Sequence, residues 1–191
     1  LAWLALAWTV RQPWFAFREV VVTTPLARAS GAHLEAVIRE ELTGTFFTMD
    51  LERARSALKE VPWVRDVALR RQWPHRLELV VDEYEPYARW NDTALVDARG
   101  DVFTAQWSAP LPRFEGPEGR TPEVTARYQS WSEVLRPLQY TIDAVRLSPR
   151  GGWQLRTSGP QGALTLELGR DETDARLARV VVVELVRAQA R

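Results

Sequence analysis

The apolar positions of this chain change period several times, and each change marks an element. The first ten residues, "LAWLALAWTV", are continuously apolar up to Arg11. Ten residues is half of the ~20 that a membrane-spanning helix needs, so the run predicts the outer half of such a helix. In that reading Trp3, Trp8 and Trp14 sit in the headgroup belt and Arg11 snorkels outward. A soluble helix packed on a domain, or the tail of a signal peptide at Ala5–Ala7, would also fit the pattern. From Phe17, "FREVVV" reads as a strand. The period then lengthens: Leu34, Val37, Ile38 and Leu42 recur at helical spacing behind a possible cap at Ser30, with Gly44 as the stop. Asp50 can cap a second helix carrying Leu51, Ala54, Leu58 and Val61 on one stripe, stopped by Pro62.

At Val64 the period drops to two. Val67 and Leu69 alternate with Asp66 and Arg70, and Leu77, Leu79 and Val81 alternate with Glu78 and Asp82. These runs predict strands 64–71 and 77–83, each with one face buried under helices and the other wet. Pro74 cannot donate to a ladder, so "QWPHR" is their turn. The order to this point is β-α-α-β-β. Further on, "LVDARGDVF" predicts a hairpin turning at Arg99–Asp101, and "PLPRFEGPEGRTP" an extended Pro/Gly loop. Val124, Tyr128, Trp131, Leu135 and Leu138 form a helical stripe. Three alternating runs, 142–147, 153–156 and 163–168, predict a meander, after which Asp171 opens a last helix through Leu177, Val181 and Leu185.

Composition narrows the function classes. The 191 residues suffice for one large domain or two small ones, and 46% hydrophobic with 26% charged residues is an ordinary globular mixture. Basic and acidic residues balance at 25 each without long blocks, so the chain has no electrostatic footprint for nucleic acid. The absence of cysteine removes thiolate chemistry and suits an oxidising compartment.

Enzyme chemistry finds little support. Asp82, Glu83 and Glu85 crowd together, but successive strand residues face opposite ways, so the run reads as a solvated edge and not as a carboxylate pair. His33 and His75 lack partners at metal-ligand spacing, and no phosphate loop or nucleophile elbow occurs. The nine tryptophans read as core residues in preference to a stacking platform for sugars or bases. No cofactor, metal or small-molecule substrate is expected.

The β-α-α-β-β order after an apolar segment, followed by "PWV", "RRQWP", "VVDEYEPYARW", "LVDARGDVF", "LPRFEGPEG", "WQL" and "LELGRDETDARLAR", resembles the FtsQ/DivIB family of bacterial cell division proteins. His75 departs from the Asp or Asn usual there. The resemblance implies an α+β fold in three parts. These are the end of a transmembrane helix in 1–16, a POTRA domain in 17–84, and a β-rich domain with flanking helices in 85–191, cut short of a last strand. It implies a single-pass inner-membrane scaffold with periplasmic domains that binds other division proteins, FtsB and FtsL among them, at the septum, and through them bears on septal peptidoglycan synthesis. It also implies a POTRA sheet with its last strand in the middle. Arg65, Val67, Leu69, Arg70 and Arg71 would then lie on an edge strand open to a recruiting partner. In the β domain, Arg150, Trp153, Leu164, Leu166 and Leu168 are the expected contact residues. A periplasmic arm of an outer-membrane assembly or secretion protein is the alternative POTRA user, although such arms usually carry tandem units and no second unit is visible in the sequence.

Overall fold

The computed structural model describes residues 19–41, 50–73 and 76–189. The expected membrane segment lies outside them, and among the described residues no helix is long and apolar enough to cross a membrane. The chain divides into two compact units, Leu1–Tyr84 and Glu85–Arg191.

The first unit runs β1 (Glu19–Val22), α1 (Gly31–Glu41), α2 (Leu51–Lys59), β2 (Val64–Gln72) and β3 (Arg76–Glu83). Ser30 Oγ accepts the His33 amide at the start of α1. The Asp50 carboxylate accepts those of Glu52 and Arg53 at the start of α2, so both expected caps form. The sheet order is β1-β3-β2, with β3 parallel to β1 and antiparallel to β2. Alternation aims Val67, Leu79 and Val81 into a core closed by Leu34 of α1 and Leu58 of α2. A register shift between Val64 and Asp66 marks a bulge at the start of β2.

The second unit holds β4 (Ala88–Trp90), β5 (Ala94–Val96), β6 (Val102–Phe103), β7 (Arg113–Glu115), α3 (Thr121–Leu135) with a 3₁₀ turn at Arg136–Leu138, β8 (Thr141–Leu147), β9 (Trp153–Gly159), β10 (Gly162–Gly169) and α4 (Thr173–Gln189). Its seven strands are ordered β10-β9-β8-β7-β4-β5-β6. Val124, Trp131 and Leu135 of α3 and Leu177 of α4 share one core with Phe114, Val145 and Leu155 of the sheet. The meander β8–β9–β10 and the β5–β6 hairpin form as expected; Gly100 turns the hairpin at φ +90, and a Cβ there would lie 2.5 Å from Pro122 Cα.

Two expectations are corrected. The "extended loop" 110–122 contains β7, which lies in mid-sheet, parallel to both β4 and β8. Three residues between Pro112 and Gly116 are too few to show a period, and the strand is specified by its pairing on both sides, with Phe114 completely buried. The last helix starts at Thr173, because Glu172 turns through the left-handed region at φ 53.

Candidate partner-docking edges

Each sheet ends in strands whose outer side has no neighbour among the described residues: β1 and β2 in the first, β10 and β6 in the second. β6 is two residues long and β1 four, so β2 and β10 are the edges long enough to pair with another chain.

On β2 the expected residues differ in what they offer. Val67 is a core side chain whose amide donates to Asp66 Oδ1 at 2.8 Å, while Leu69 is half-buried and packs on the same core. Arg70 and Arg71 are exposed. Arg65 donates its Nε to Asp82 of β3 at 3.1 Å and so braces the sheet. Beside the strand, a cleft of ≈ 280 Å³ opens towards α2, with Leu51, Arg55, Asp66 and Leu69 in its lining. Arg55 Nη2 reaches both Asp66 oxygens at 2.8 and 3.0 Å, and Lys59 Nζ lies 3.5 Å from the same carboxylate. The Arg55 bond, the Val67 amide and the two nearby cations outweigh desolvation and pull the Asp66 carboxyl down to about 2. The floor of the cleft is therefore a fixed ionic pair.

On the far side, Glu83 of β3 is no solvated-edge carboxylate. It accepts the consecutive amides of Ala27, Arg28 and Ala29 at 3.0, 3.1 and 2.7 Å, which ties the β1–α1 loop to the end of β3. Burial pushes its carboxyl up, but the amide bonds from Ala29, Arg28 and Ala27, helped by the Arg28 charge, leave it below the usual value.

On β10, Leu164 and Leu166 are half-buried against the core, and Leu168 is fully within it. Trp153 is also core, edge-on to Trp131 at 5.3 Å, and is no surface contact. Arg150 is exposed in the β8–β9 turn, which Ser148 closes by accepting the Gly152 amide on Oγ at 2.8 Å and the Gly151 amide on its carbonyl at 2.9 Å. Behind this edge, Asp174 of α4 accepts Trp131 Nε1 at 2.8 Å and Arg127 Nη1 at 2.8 and 3.0 Å. The Trp131 bond outweighs burial, and with Arg127 it lowers the Asp174 carboxyl.

The tryptophans divide. Trp90, Trp131 and Trp153 are core residues, as expected. Trp63 is half-buried at φ 75. Trp73 overturns the expectation: it is 77% exposed at the end of the β2–β3 hairpin. Trp3, Trp8, Arg11 and Trp14 lie outside the described residues, as does His75. Among the described residues no group of His, Asp and Glu is placed to hold a metal ion.

A β-α-α-β-β unit followed by a mixed seven-stranded sheet with helices on one face defines a POTRA-bearing protein with a β-rich second domain. The first unit matches the FtsQ-type POTRA domain over residues 15–84, and the second matches the FtsQ/DivIB C-terminal domain over residues 88–187. The chain is 35% identical over 184 residues to cell division protein FtsQ of Nitrosospira multiformis, covering 94% of this chain and 77% of that protein. It is 38% identical over 181 residues to FtsQ of Allochromatium vinosum, covering 93% of this chain and 71% of that protein. With FtsQ of Escherichia coli it shares 36% over 143 residues, 72% of this chain and 51% of the relative. The chain belongs to the FtsQ/DivIB family of cell division proteins.

Proposed function

We propose that this chain is a non-enzymatic scaffold of the division machinery, anchored in the inner membrane through the Leu1–Val10 segment. Its POTRA unit, residues 17–84, takes part in recruitment to the septum, and its β unit, residues 85–191, holds a partner segment, with FtsB and FtsL as the partners the family resemblance implies. Through them it would bear on septal peptidoglycan synthesis. The observation that supports this reading is the pair of open edges, β2 and β10, one in each sheet. An added strand satisfies the free backbone groups of such an edge and makes its affinity mostly through main-chain pairing. Arg65, Val67, Leu69, Arg70 and Arg71 present the first edge, and Leu164, Leu166 and Leu168 the second. Arg150, exposed in the neighbouring turn, faces an acidic partner residue, while Trp153 supports the strand from within.

A fluorescent fusion of the chain tests the proposal in a strain depleted of its own FtsQ. Banding at midcell with restored division is the expected result, and even envelope staining overturns the reading. Val67→Pro removes a backbone donor from β2. If that variant folds, as judged by circular dichroism, and still bands at midcell, the β2 edge is not the recruiting surface.

A further inference from the structure

We propose that the tip of the β2–β3 hairpin is a membrane-contacting finger, in which Trp73 enters the headgroup layer and the surrounding arginines meet lipid phosphates. The inference rests on the reading of Leu1–Val10 as membrane-embedded and adds a second contact to it.

The register of the sheet carries the argument. β1 runs parallel to β3 with Glu19 paired to Arg76, so the end of the sheet where the chain enters β1 is also the end where the hairpin turns. Residues 11–18 alone separate Val10 from Glu19, and eight extended residues span at most about 30 Å. The hairpin tip is thus held on the side of the unit from which the apolar run arrives and within a short tether of it.

The chemistry of the tip fits that position. Trp73 is 77% exposed, the most exposed large hydrophobic side chain among the described residues, and an indole in water at a hairpin tip lacks a packing role. An amphipathic ring with one N–H is at home in the interfacial layer. Arg70, Arg71 and Arg76 are exposed around it. Cross-strand pairing sets Arg71 opposite Leu77, on the helix-covered face, and Gln72 opposite Arg76, on the other face, so cations border the tip on both sides. Glu78 faces them, accepting Gln72 Nε2 at 3.3 Å and pairing in register with Arg70. Cations at this position favour contact with an anionic leaflet. A protein partner would also accept an exposed tryptophan, but placement beside the entry of the apolar run selects the bilayer.

The absence of native cysteine makes the test direct. The 191-residue chain carrying Gln72→Cys is labelled with an environment-sensitive fluorophore and reconstituted into vesicles of phosphatidylcholine with phosphatidylglycerol. Quenching is read with lipids spin-labelled at the headgroup or deep in the acyl chain. A parallel chain carrying Trp8→Cys reports on the apolar run. The expected result is quenching by lipid at position 8 and headgroup quenching at position 72. The latter should fall at least about twofold with Trp73→Ala, and again when phosphatidylcholine replaces phosphatidylglycerol. A probe at 72 that stays aqueous while the probe at 8 is quenched by lipid overturns the finger and leaves the anchor standing. Both probes aqueous overturns the anchor, and the finger with it. Quenching at 72 that Trp73→Ala leaves unchanged also overturns the proposal.

Discussion

Removing the Glu83 carboxylate should loosen the POTRA unit at the β1–α1 loop. Its side chain accepts three consecutive amides, with the shortest bond, 2.7 Å, from Ala29, whose residue is 8% exposed. Hydrogen bonds to a charged group contribute about 1.5–3 kcal/mol each when the freed donor stays dry. Ala27 and Arg28 are exposed, so water can replace two of the three bonds, and only the Ala29 amide is left without a partner. Glu83→Ala should therefore cost about 2 kcal/mol in total. Hydrogen exchange of the full chain reads this locally, because 2 kcal/mol is about a 30-fold loss of protection at amides 27–29. The pH dependence has a definite sign. A carboxyl lowered in the folded state adds stability that is complete above its unfolded value, about 4.3, and is lost as pH falls through the lowered value. Protection at 27–29 should decline over that acid range in the wild type and stay flat in Glu83→Gln. Wild-type protection retained by Glu83→Ala would refute the argument and mean that loop packing alone holds the segment.

Asp66, held at about 2, behaves in the same sense: its pairing with Arg55 is complete above about pH 4 and fades towards pH 2, so in Asp66→Asn this acid-dependent loss of α2 protection should be absent. Trp131→Phe deletes the Nε1 bond to the Asp174 carboxylate while leaving most of the ring volume, and should lower the unfolding free energy by about 1.5–3 kcal/mol in a urea titration. Gly159→Ala would set a Cβ 2.4 Å from the Tyr140 ring, and the resulting overpacking should cost about 1–3 kcal/mol by the same assay. Trp63→Ala should cost about 2 kcal/mol, less than the 3–5 of a fully buried tryptophan, because half-burial leaves part of the ring wet.

The first unit was legible in the sequence because its elements are long for their period. β3 alternates over its eight residues and β2 from Val67 to Arg70, and Asp50 and Ser30 cap helices whose apolar stripes follow at once. The second unit hid β7, since a three-residue strand held by parallel neighbours on both sides carries no local signal and is specified by pairing. Side-chain roles were harder still. A strand pattern tells which face is wet, yet it cannot tell that Glu83 bends onto the amides of a loop more than fifty residues away in sequence. Trp73 and Trp63 bracket the same strand and look alike in sequence. Trp63 falls where α2 hands over to β2 and packs on the core, whereas Trp73 falls beyond the helices' reach. On β10 the expected contact residues Leu164, Leu166 and Leu168 face the core, which leaves the backbone as the accessible part of that edge.

The two open edges differ in how they are guarded. β2 carries Arg65, Asp66, Arg70 and Arg71 along its nine residues, and charges of this density discourage chance pairing while still allowing a complementary partner to dock. β10, "GALTLELG", has Glu167 as its single charge, glycine at both ends and a register shift between Glu167 and Gly169. Its bulge deflects the far end, but the stretch Ala163–Leu166 is uncharged and regular, which is the profile of an edge that aggregates unless a strand covers it. Thr165→Lys places a charge on the exposed face of that stretch and should lower aggregation of the isolated chain in light scattering. Arg70→Leu should raise it. If neither substitution changes scattering, the edges are already shielded and the contrast between them has no consequence.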